Sequence, residues 1–488
     1  MQAGLKMTRI LEDIIQDLVP FPEEFSNIQI NGLKIDSSKV KKGDIFFAIS
    51  GQNVDGHDFI HEAIDSGAAA IISNGRDFGS LPIPQIKVSN PRRAVSKVAA
   101  EYYRHPTKDL TVIGITGTNG KTTTASILTA ILNESGYKTA QLGTLGLIAE
   151  GFNKVPTLTT PDAISLQKTF LELKNLNFSH IVMEVSSHSL DQYRVSDIEF
   201  KIALFTNLSP EHLDYHGTLE RYYKAKSLLF KALSKDATAI INKDDLYGSK
   251  LENVTDANVA TFSLKNDNSI NFKIQNNSIS GITGTISTDE ENYDINSNLI
   301  GDFNCENILA AVSAAHILGI KKHVIEKGIE KVSVIPGRME IHTLASGAKA
   351  ITDYAHTPDA YKKVLIAVKT ISKKNGKLYV VFGAGGDRDK AKRPEFARVA
   401  ENYADHCFIT PDNPRSENPY IIEQDIISGF KNKSYSCFRN RESGLHSALR
   451  ESKKNDIIIV FGKGREEYQE IMGEKRPYSD INIIKEYQ

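Results

Sequence analysis

The sequence predicts an α/β protein of three domains: an α/β first domain, a central domain on a mostly parallel sheet and a doubly wound third. Three observations carry that expectation. Short apolar runs recur, each ends in a polar loop, and helix-like segments separate them. One of those loops is Gly-rich and ends in Lys-Thr, between a strand-like and a helix-like segment. The 488 residues suffice for about three domains of ordinary size. The expected domains are residues 1–109, 110–335 and 336–488, joined at the polar stretch Pro106–Asp109 and at Ile335-Pro-Gly-Arg338.

In the first domain, the polar turn Asp36–Asp44 leads into the apolar strand Ile45–Ile49. A loop from Gly51 to Gly56, a helix from Phe59 to Gly67 and a strand from Ala68 to Ile72 continue the α/β alternation. Small polar side chains here suit either a ligand or an ordinary turn.

The second domain opens with Val112–Ile115 as a strand, a turn containing Gly114, Gly117 and Gly120, and a helix over Thr122–Leu132. Such a turn aims backbone N–H groups at one spot, with the positive end of the helix dipole behind them. Lys121 adds a charge for phosphates, and the Thr122 hydroxyl can reach Mg²⁺. Ile115 stands where the usual Gly-x4-Gly-Lys-[Ser/Thr] spacing has Gly. After the loop Leu158–Pro161 and a helix over Ile164–Leu176 comes the strand Ile181–Val185, which carries Glu184. A carboxylate among Val, Ile and Met is costly unless paired or metal-bound, so Glu184 is a Mg²⁺ candidate with a structural ion pair as the alternative.

The strand Ala203–Asn207 runs into Leu208–Gly217, which holds Glu211, His212, Asp214 and His216. That loop is either solvated and hydrogen-bonded or a metal and phosphate site using His212. The helix Leu219–Leu233 carries Lys224 and Lys226, and composition reads both as surface residues. Thr238–Asp245 repeats the strand-and-loop pattern, and residues 250–300 predict an antiparallel excursion. Asn304 and Asn307 precede or begin the helix Ile308–Leu318, as caps or as nucleotide contacts.

The third domain shows four strands, Ala350–Asp353, Lys377–Phe382, His406–Thr410 and Asp456–Phe461, each ending in a rich loop. This predicts a Rossmann-like doubly wound sheet, and ligands of such sheets bind outside the carboxyl ends of the strands. Arg388, Asp412, Asn413, Arg415 and Glu466 lie there, of both signs, which suits a zwitterion such as an amino acid. Arg388 replaces the last Gly of a dinucleotide fingerprint, so that use is weakly supported.

Composition excludes several classes. A net charge of −1 gives no reason to expect nucleic acid or a membrane surface as partner. Cys305, Cys407 and Cys437 lie far apart and form neither zinc spacing nor a disulfide framework, which points to a reducing cytoplasm. Met1–Pro20 carries Glu12, Asp13 and Asp17 without a signal-length apolar core, and no later run reaches the roughly 18 apolar residues of a membrane span.

Taken together, these stretches resemble the Mur ligases, ATP-dependent amino-acid-adding enzymes of peptidoglycan precursor synthesis. The marks are Asp36-Ser37 with Gly43-Asp44, Thr116–Thr122, Thr159-Thr160, Met183–His188, Thr206–Ser209 with His212–Gly217, Pro336–Glu340, Asp353–Asp359, Gly386–Asp389, Asp412–Arg415 and Gly462–Gly464. Four positions depart from the family pattern: Ser38 stands for Arg, Glu211 for Asp with an atypical Pro210 beside it, and Arg465 for a common His.

The resemblance implies a central P-loop ATPase-like domain that binds ATP and a first domain that holds the UDP moiety of UDP-N-acetylmuramoyl-L-Ala-D-Glu. It implies UDP contacts at Ser37, Gly51, Gln52 and Asn53, and muramoyl-dipeptide contacts at Thr159, Thr160, Ser186, Gln192 and Arg194. ATP would meet Gly117, Thr118, Asn119, Gly120, Lys121, Thr122 and Thr123, with Asn304 at adenine, Asp353 at ribose and Arg338 at the γ-phosphate. Thr122 and Glu184 would serve one Mg²⁺, and His212 with Lys226, carbamylated by CO₂, a second. Lys121, Glu184, His212, carbamylated Lys226 and Arg338 would form the catalytic set. The family's Asp-[Asn/Asp]-Pro-Arg motif reads the added amino acid. Arg415 implies meso-diaminopimelate, with Arg388, Asp412, Asn413, Pro414, Gly462 and Glu466 completing the pocket. The implied enzyme is a cytoplasmic monomer working through an acyl phosphate. Its rivals are folylpolyglutamate synthase, of the same fold, a P-loop ATPase doing conformational work on a protein, and a non-catalytic binding module, which the presence of phosphate, metal and amino-acid residues disfavours.

Overall fold

Strands that are apolar on both faces must be covered on both sides, and this governs the central sheet. The computed structural model describes residues 7–19, 25–51, 54–154, 158–265, 269–278, 280–372, 375–432 and 434–488. Among them, the strand Thr111–Thr116 lies in the middle of an eleven-stranded sheet. It pairs in parallel with His180–Glu184 on one side and with Phe200–Phe205 on the other. Register sets Glu184 beside Ile115 and Phe205 beside Thr116, so three strands end at one edge. The phosphate loop, Glu184 and the Thr206-Asn207 turn therefore share that edge.

One face is covered by the helices Lys121–Glu134, Asp302–Ile317 and Lys322–Glu330, packed on Ile113, Ile115, Val182 and Leu204. The other carries Ala163–Asn175 and Leu219–Lys231, packed on Val112, Ile181, Met183 and Phe205. The expected antiparallel excursion is present. Ile270–Ser278, Gly281–Ser287 and Asn292–Ser297 form a meander that extends the same sheet through Asn258–Ser263.

The first sheet is four-stranded and parallel, in the order Gly32–Lys34, Asp44–Phe47, Ala70–Ser73, Gln85–Lys87. The third has six strands, in the order Glu340–Thr343, Lys349–Asp353, Ile457–Phe461, Leu378–Phe382, His406–Ile409, Tyr435–Cys437. The four expected strands are its centre. The two unexpected ones are its edges, where short, half-polar segments leave little apolar signal. Helices cover both faces, which makes this the doubly wound unit.

Two local expectations need correction. The cap of Asp302–Ile317 is Gly301, and neither Asn304 nor Asn307 caps it. Both lie inside the first turns, where Asn304 donates to Ile300 O at 2.8 Å and Asn307 to Asn304 at 3.0 Å. Lys226 is not a surface residue: it is 1% exposed, whereas Lys224, two residues earlier, faces solvent. A two-residue step turns a helical side chain by about 200°, to the opposite face.

Candidate active site

Gly120, at φ 89°, ends the turn and precedes the helix Lys121–Glu134, whose N-terminus has no side-chain cap. Its first N–H groups are thereby left for an anion. The loop is held from the neighbouring strand end. Thr118 N–H donates to Asn207 O at 2.8 Å, Asn119 N–H to Asn207 Oδ1 at 2.9 Å, and Thr206 Oγ1 to Asn119 O at 2.7 Å. The Lys121 amine folds back onto Gly117 O and Thr118 O, each at 2.9 Å, and burial lowers its pKa.

Glu184 is 1% exposed and has no ion-pair partner among the described residues. Its carboxylate accepts from Thr122 Oγ1 at 2.9 Å, Thr144 N–H at 2.9 Å and Thr144 Oγ1 at 3.1 Å. Gly143 makes the space, since a Cβ there would lie 2.2 Å from Glu184 Oε1. Arg338, on the loop entering the third sheet, reaches across to Thr122 Oγ1 at 3.2 Å. The Lys226 amine donates to Gly117 O at 2.8 Å, and burial, followed by the charge of Lys121, pushes its pKa well down. His212 is held at φ 54° ahead of the short helix Leu213–His216. Burial lowers its imidazole to about 3, leaving a neutral ring with a lone pair.

This donor set can be tested against two divalent cations. Glu184 and the Thr122 hydroxyl present hard oxygens, and Mg²⁺ takes few protein ligands and keeps several waters. That pair fits. Among the described residues no three His, Cys, Asp or Glu side chains gather around one point. A second site would need His212 together with an anionic Lys226, because an ammonium offers no lone pair. The pair fits only as imidazole and carbamate.

Two cavities open here. One, of about 280 Å³, is lined by Thr118–Thr123, Glu184, Ser186, Thr159, Asn307, Arg338 and Asp353. The other, of about 170 Å³, is lined by Arg388, Asp412, Asn413, Arg415, Gly462 and Glu466 at the carboxyl ends of the third sheet. They share a wall made of Glu211, His212, Tyr354, His356 and Arg388.

The structure thus gathers most of the expected residues in two groups. Others lie elsewhere. Thr160 is buried behind Glu184, donating to its carbonyl at 2.9 Å. Arg194 donates to Thr160 O at 2.8 Å and to Gln192 at 2.6 Å, beside the cavity rather than on its wall. Asn304 is behind the wall, where Asn307 faces the cavity instead. Gly117 offers its carbonyl to the two lysines, and Pro414 does not line the second cavity. Ser37 donates to Glu62 at 3.2 Å and Gly51 closes a turn onto Val54 O, both in the first sheet's domain. Gln52 and Asn53 lie outside the described residues.

Two further side chains, one on the shared wall and one buried behind the second cavity, had no role assigned from the sequence. Glu211 is buried and accepts from His356 Nε2 at 3.0 Å, which joins the second and third domains. Lys463 is fully buried between Asn413, Asp412 and Glu466, at 2.8, 3.4 and 3.4 Å. Its place between two glycines was its only signal. The departures have local partners: Ser38 donates to Asp36 at 2.7 Å, and Arg465 grips Glu340 at 2.7 and 2.9 Å.

A phosphate loop and a buried carboxylate, beside an acid-and-base pocket that meets them across two α/β units, mark a nucleotide-using enzyme. Family models cover most of the chain: "Mur ligase family, catalytic domain" at 29–103, "Mur ligase middle domain" at 115–315 and "Mur ligase, glutamate ligase domain" at 337–464. The chain belongs to the Mur ligase family. It is 42% identical over 464 residues to the UDP-N-acetylmuramoyl-L-alanyl-D-glutamate–2,6-diaminopimelate ligase of Aquifex aeolicus, covering 94% of this chain and 93% of that one. The enzyme of the same name from Bacillus cereus is 39% identical over 483 residues, covering 98% and 97%. A solved structure of a ligase with that name superposes with TM-score 0.70 at 29% identity, over 99% of each chain. The MurF ligase of Thermotoga maritima in complex with ADP, at 19% identity and TM-score 0.61 over 88% of this chain and 93% of that one, shares the fold.

Proposed function

We propose that this ligase joins meso-2,6-diaminopimelate to the D-Glu carboxyl of UDP-N-acetylmuramoyl-L-Ala-D-Glu, at the expense of ATP. The observation that carries this reading is the shared wall between the phosphate-loop cavity and the Arg415 cavity. An activated carboxyl in one cavity and an incoming amine in the other would stand side by side across it. Identity of 37–42% to ligases of that name, over 93–99% of each chain, supports this reading.

In the first step a D-Glu carboxylate oxygen attacks the γ-phosphorus, the bond to the β-phosphate oxygen breaks, and ADP leaves. In the second the amine nitrogen attacks the acyl carbon, inorganic phosphate leaves, and the nitrogen loses a proton. Neither step needs a protein nucleophile, so positioning and charge neutralisation carry the rate. Lys121 and the loop N–H groups hold the β- and γ-phosphates, and Arg338 meets the γ-phosphate from the third domain. Thr122 with Glu184, and His212 with carbamylated Lys226, would hold two Mg²⁺, which supply charge neutralisation at the transferring phosphoryl group. Asp353 and Asn307 face the nucleoside. Arg415 offers a fork of donors to the second carboxylate of diaminopimelate, with Arg388, Asn413 and Glu466 around its zwitterionic end.

In this reading residues 1–109 take the UDP moiety, 110–335 ATP, and 336–488 the amino acid. The protein works as a cytoplasmic monomer, and no helix among the described residues is long and apolar enough to cross a membrane. The test is ADP release with each substrate omitted in turn. Release that needs both UDP-muramoyl-dipeptide and meso-diaminopimelate is expected. Release with neither would mark a plain ATPase.

A further inference from the structure

The loop Asp412–Arg415 is not held by its own sheet alone. The hairpin formed by Tyr468–Ile471 and Glu474–Pro477 lies along it. Arg415 N–H donates to Glu470 O at 3.1 Å, and Met472 N–H donates to Arg415 O at 2.7 Å. Glu470 N–H donates to Asn413 Oδ1 at 2.9 Å, and the Gln469 amide to Asp412 O at 2.6 Å. Arg415 itself is held at φ 50°, a conformation that a side-chain-bearing residue keeps only when its surroundings over-determine it.

The same hairpin reaches the guanidinium. Glu470 Oε2 lies 3.5 Å from Arg415 Nε, while Arg415 Nη1 donates to Gly386 O at 2.5 Å. A Cβ on Gly386 would lie 1.9 Å from Pro414 O, so the loop bearing this carbonyl presses against the motif. Nη1 is hydrogen-bonded and Nε lies within ion-pair range of Glu470, which constrains the guanidinium, while Nη2 has no hydrogen-bond partner among the described residues. Lys475, across the hairpin from Glu470, lays its amine over the Tyr468 ring at 4.2 Å and does not compete for Glu470.

We propose that Glu470 is a positioning residue for amino-acid selection: it orients the Arg415 guanidinium toward the second carboxylate of the incoming amino acid. This rests on the amino-acid reading of the Arg415 cavity. Arg415 and Glu470 are 24% and 27% exposed, so the pair is that of a partly solvated ion pair.

The experiment compares Glu470→Gln, Glu470→Asp and Arg415→Ala with the native enzyme, using meso-diaminopimelate and lysine as alternative amines. Glu470→Gln is expected to raise the KM for meso-diaminopimelate about five-fold, the scale an exposed ion pair sustains. Its kcat and its KM for ATP should stay within about two-fold, and its kcat/KM for lysine, which has no second carboxylate, should not change. Glu470→Asp should recover most of the loss. An unchanged KM for diaminopimelate in Glu470→Gln, or equal losses with both amines, overturns the proposal. If Arg415→Ala also leaves that KM unchanged, the cavity reading itself falls; if Arg415→Ala raises it and Glu470→Gln does not, only the positioning role is lost.

Discussion

Lys226 occupies a position where an ammonium has little to gain. Its amine is buried, has one carbonyl partner at 2.8 Å and the Tyr222 ring at 4.5 Å, and stands near a second cation, Lys121. Conversion to a carbamate would replace that cation with an oxygen anion facing the phosphates. Lys226→Ala should therefore cost roughly 100-fold or more in kcat, the usual scale for a group that stabilises transition-state charge. Added short carboxylic acids should restore part of it, and a Lys226→Ala enzyme of full activity would remove the role. Arg415→Ala should raise the KM for diaminopimelate roughly 30-fold, as losing a charge-paired hydrogen-bond donor does, with the KM for ATP unchanged. At this scale the sequence was readable where chemistry forces a residue type. Lys121, Thr122, Glu184 and Arg415 were all legible. The roles of Glu211, His356 and Lys463 were not, because each is defined by a partner far away in the chain: His356 meets Glu211 across 145 positions.

Elements show the same division. The helices Lys121–Glu134 and Lys322–Glu330 cross at Gly328, where a Cβ would lie 2.6 Å from Ile131 Cα. Gly328→Val should push them apart and cost about 1–3 kcal/mol by overpacking, measured by urea unfolding, with little change in the KM for any substrate. A second device ties the start of the helix Arg393–Glu401 to the helix Pro419–Ile427 and the turn before it. Arg393 donates to Glu417 at 2.8 and 3.1 Å and to Asp425 at 2.8 Å. Those bonds bring the Glu417 carboxyl down to about 2, below the usual 4.5. Its contribution is present above pH 4.5 and is lost as pH falls toward 2. Burial lowers the His188 imidazole to about 4 and that of His212 to about 3, below the ordinary 6.5. The unfolded chain thus takes up those protons first, and stability also drops as pH falls from 6.5 toward 4. A thermal-melting series should show Tm declining from about pH 6.5 downward. Glu417→Gln should flatten only the portion below 4.5. A Tm that rises on acidification would contradict both assignments.

Across the whole molecule, the third domain reaches the second at three points, two of them on the phosphate loop. Arg338 meets Thr122 at 3.2 Å, Asp359 accepts from Asn119 at 3.3 Å, and His356 meets Glu211 at 3.0 Å. A nucleotide seated there touches two domains at once. Mg-ATP at one hundred times its Kd should raise the unfolding free energy by about 2.7 kcal/mol. Lys121→Ala should abolish that shift, whereas Arg415→Ala, in the other cavity, should leave it intact. Calorimetric melting with and without nucleotide checks both.

By itself the sequence determined the α/β alternation, the phosphate turn and the loops at the carboxyl ends of the third sheet. These follow from local rules: apolar runs make buried strands, glycines make tight turns, and short polar motifs carry their chemistry with them. Tertiary structure alone decided that Lys226 is buried while Lys224 is not, that Asn307 rather than Asn304 faces the cavity, and that a hairpin braces the Arg415 loop. Burial and orientation depend on which faces of distant elements meet, and no short stretch of sequence contains both faces.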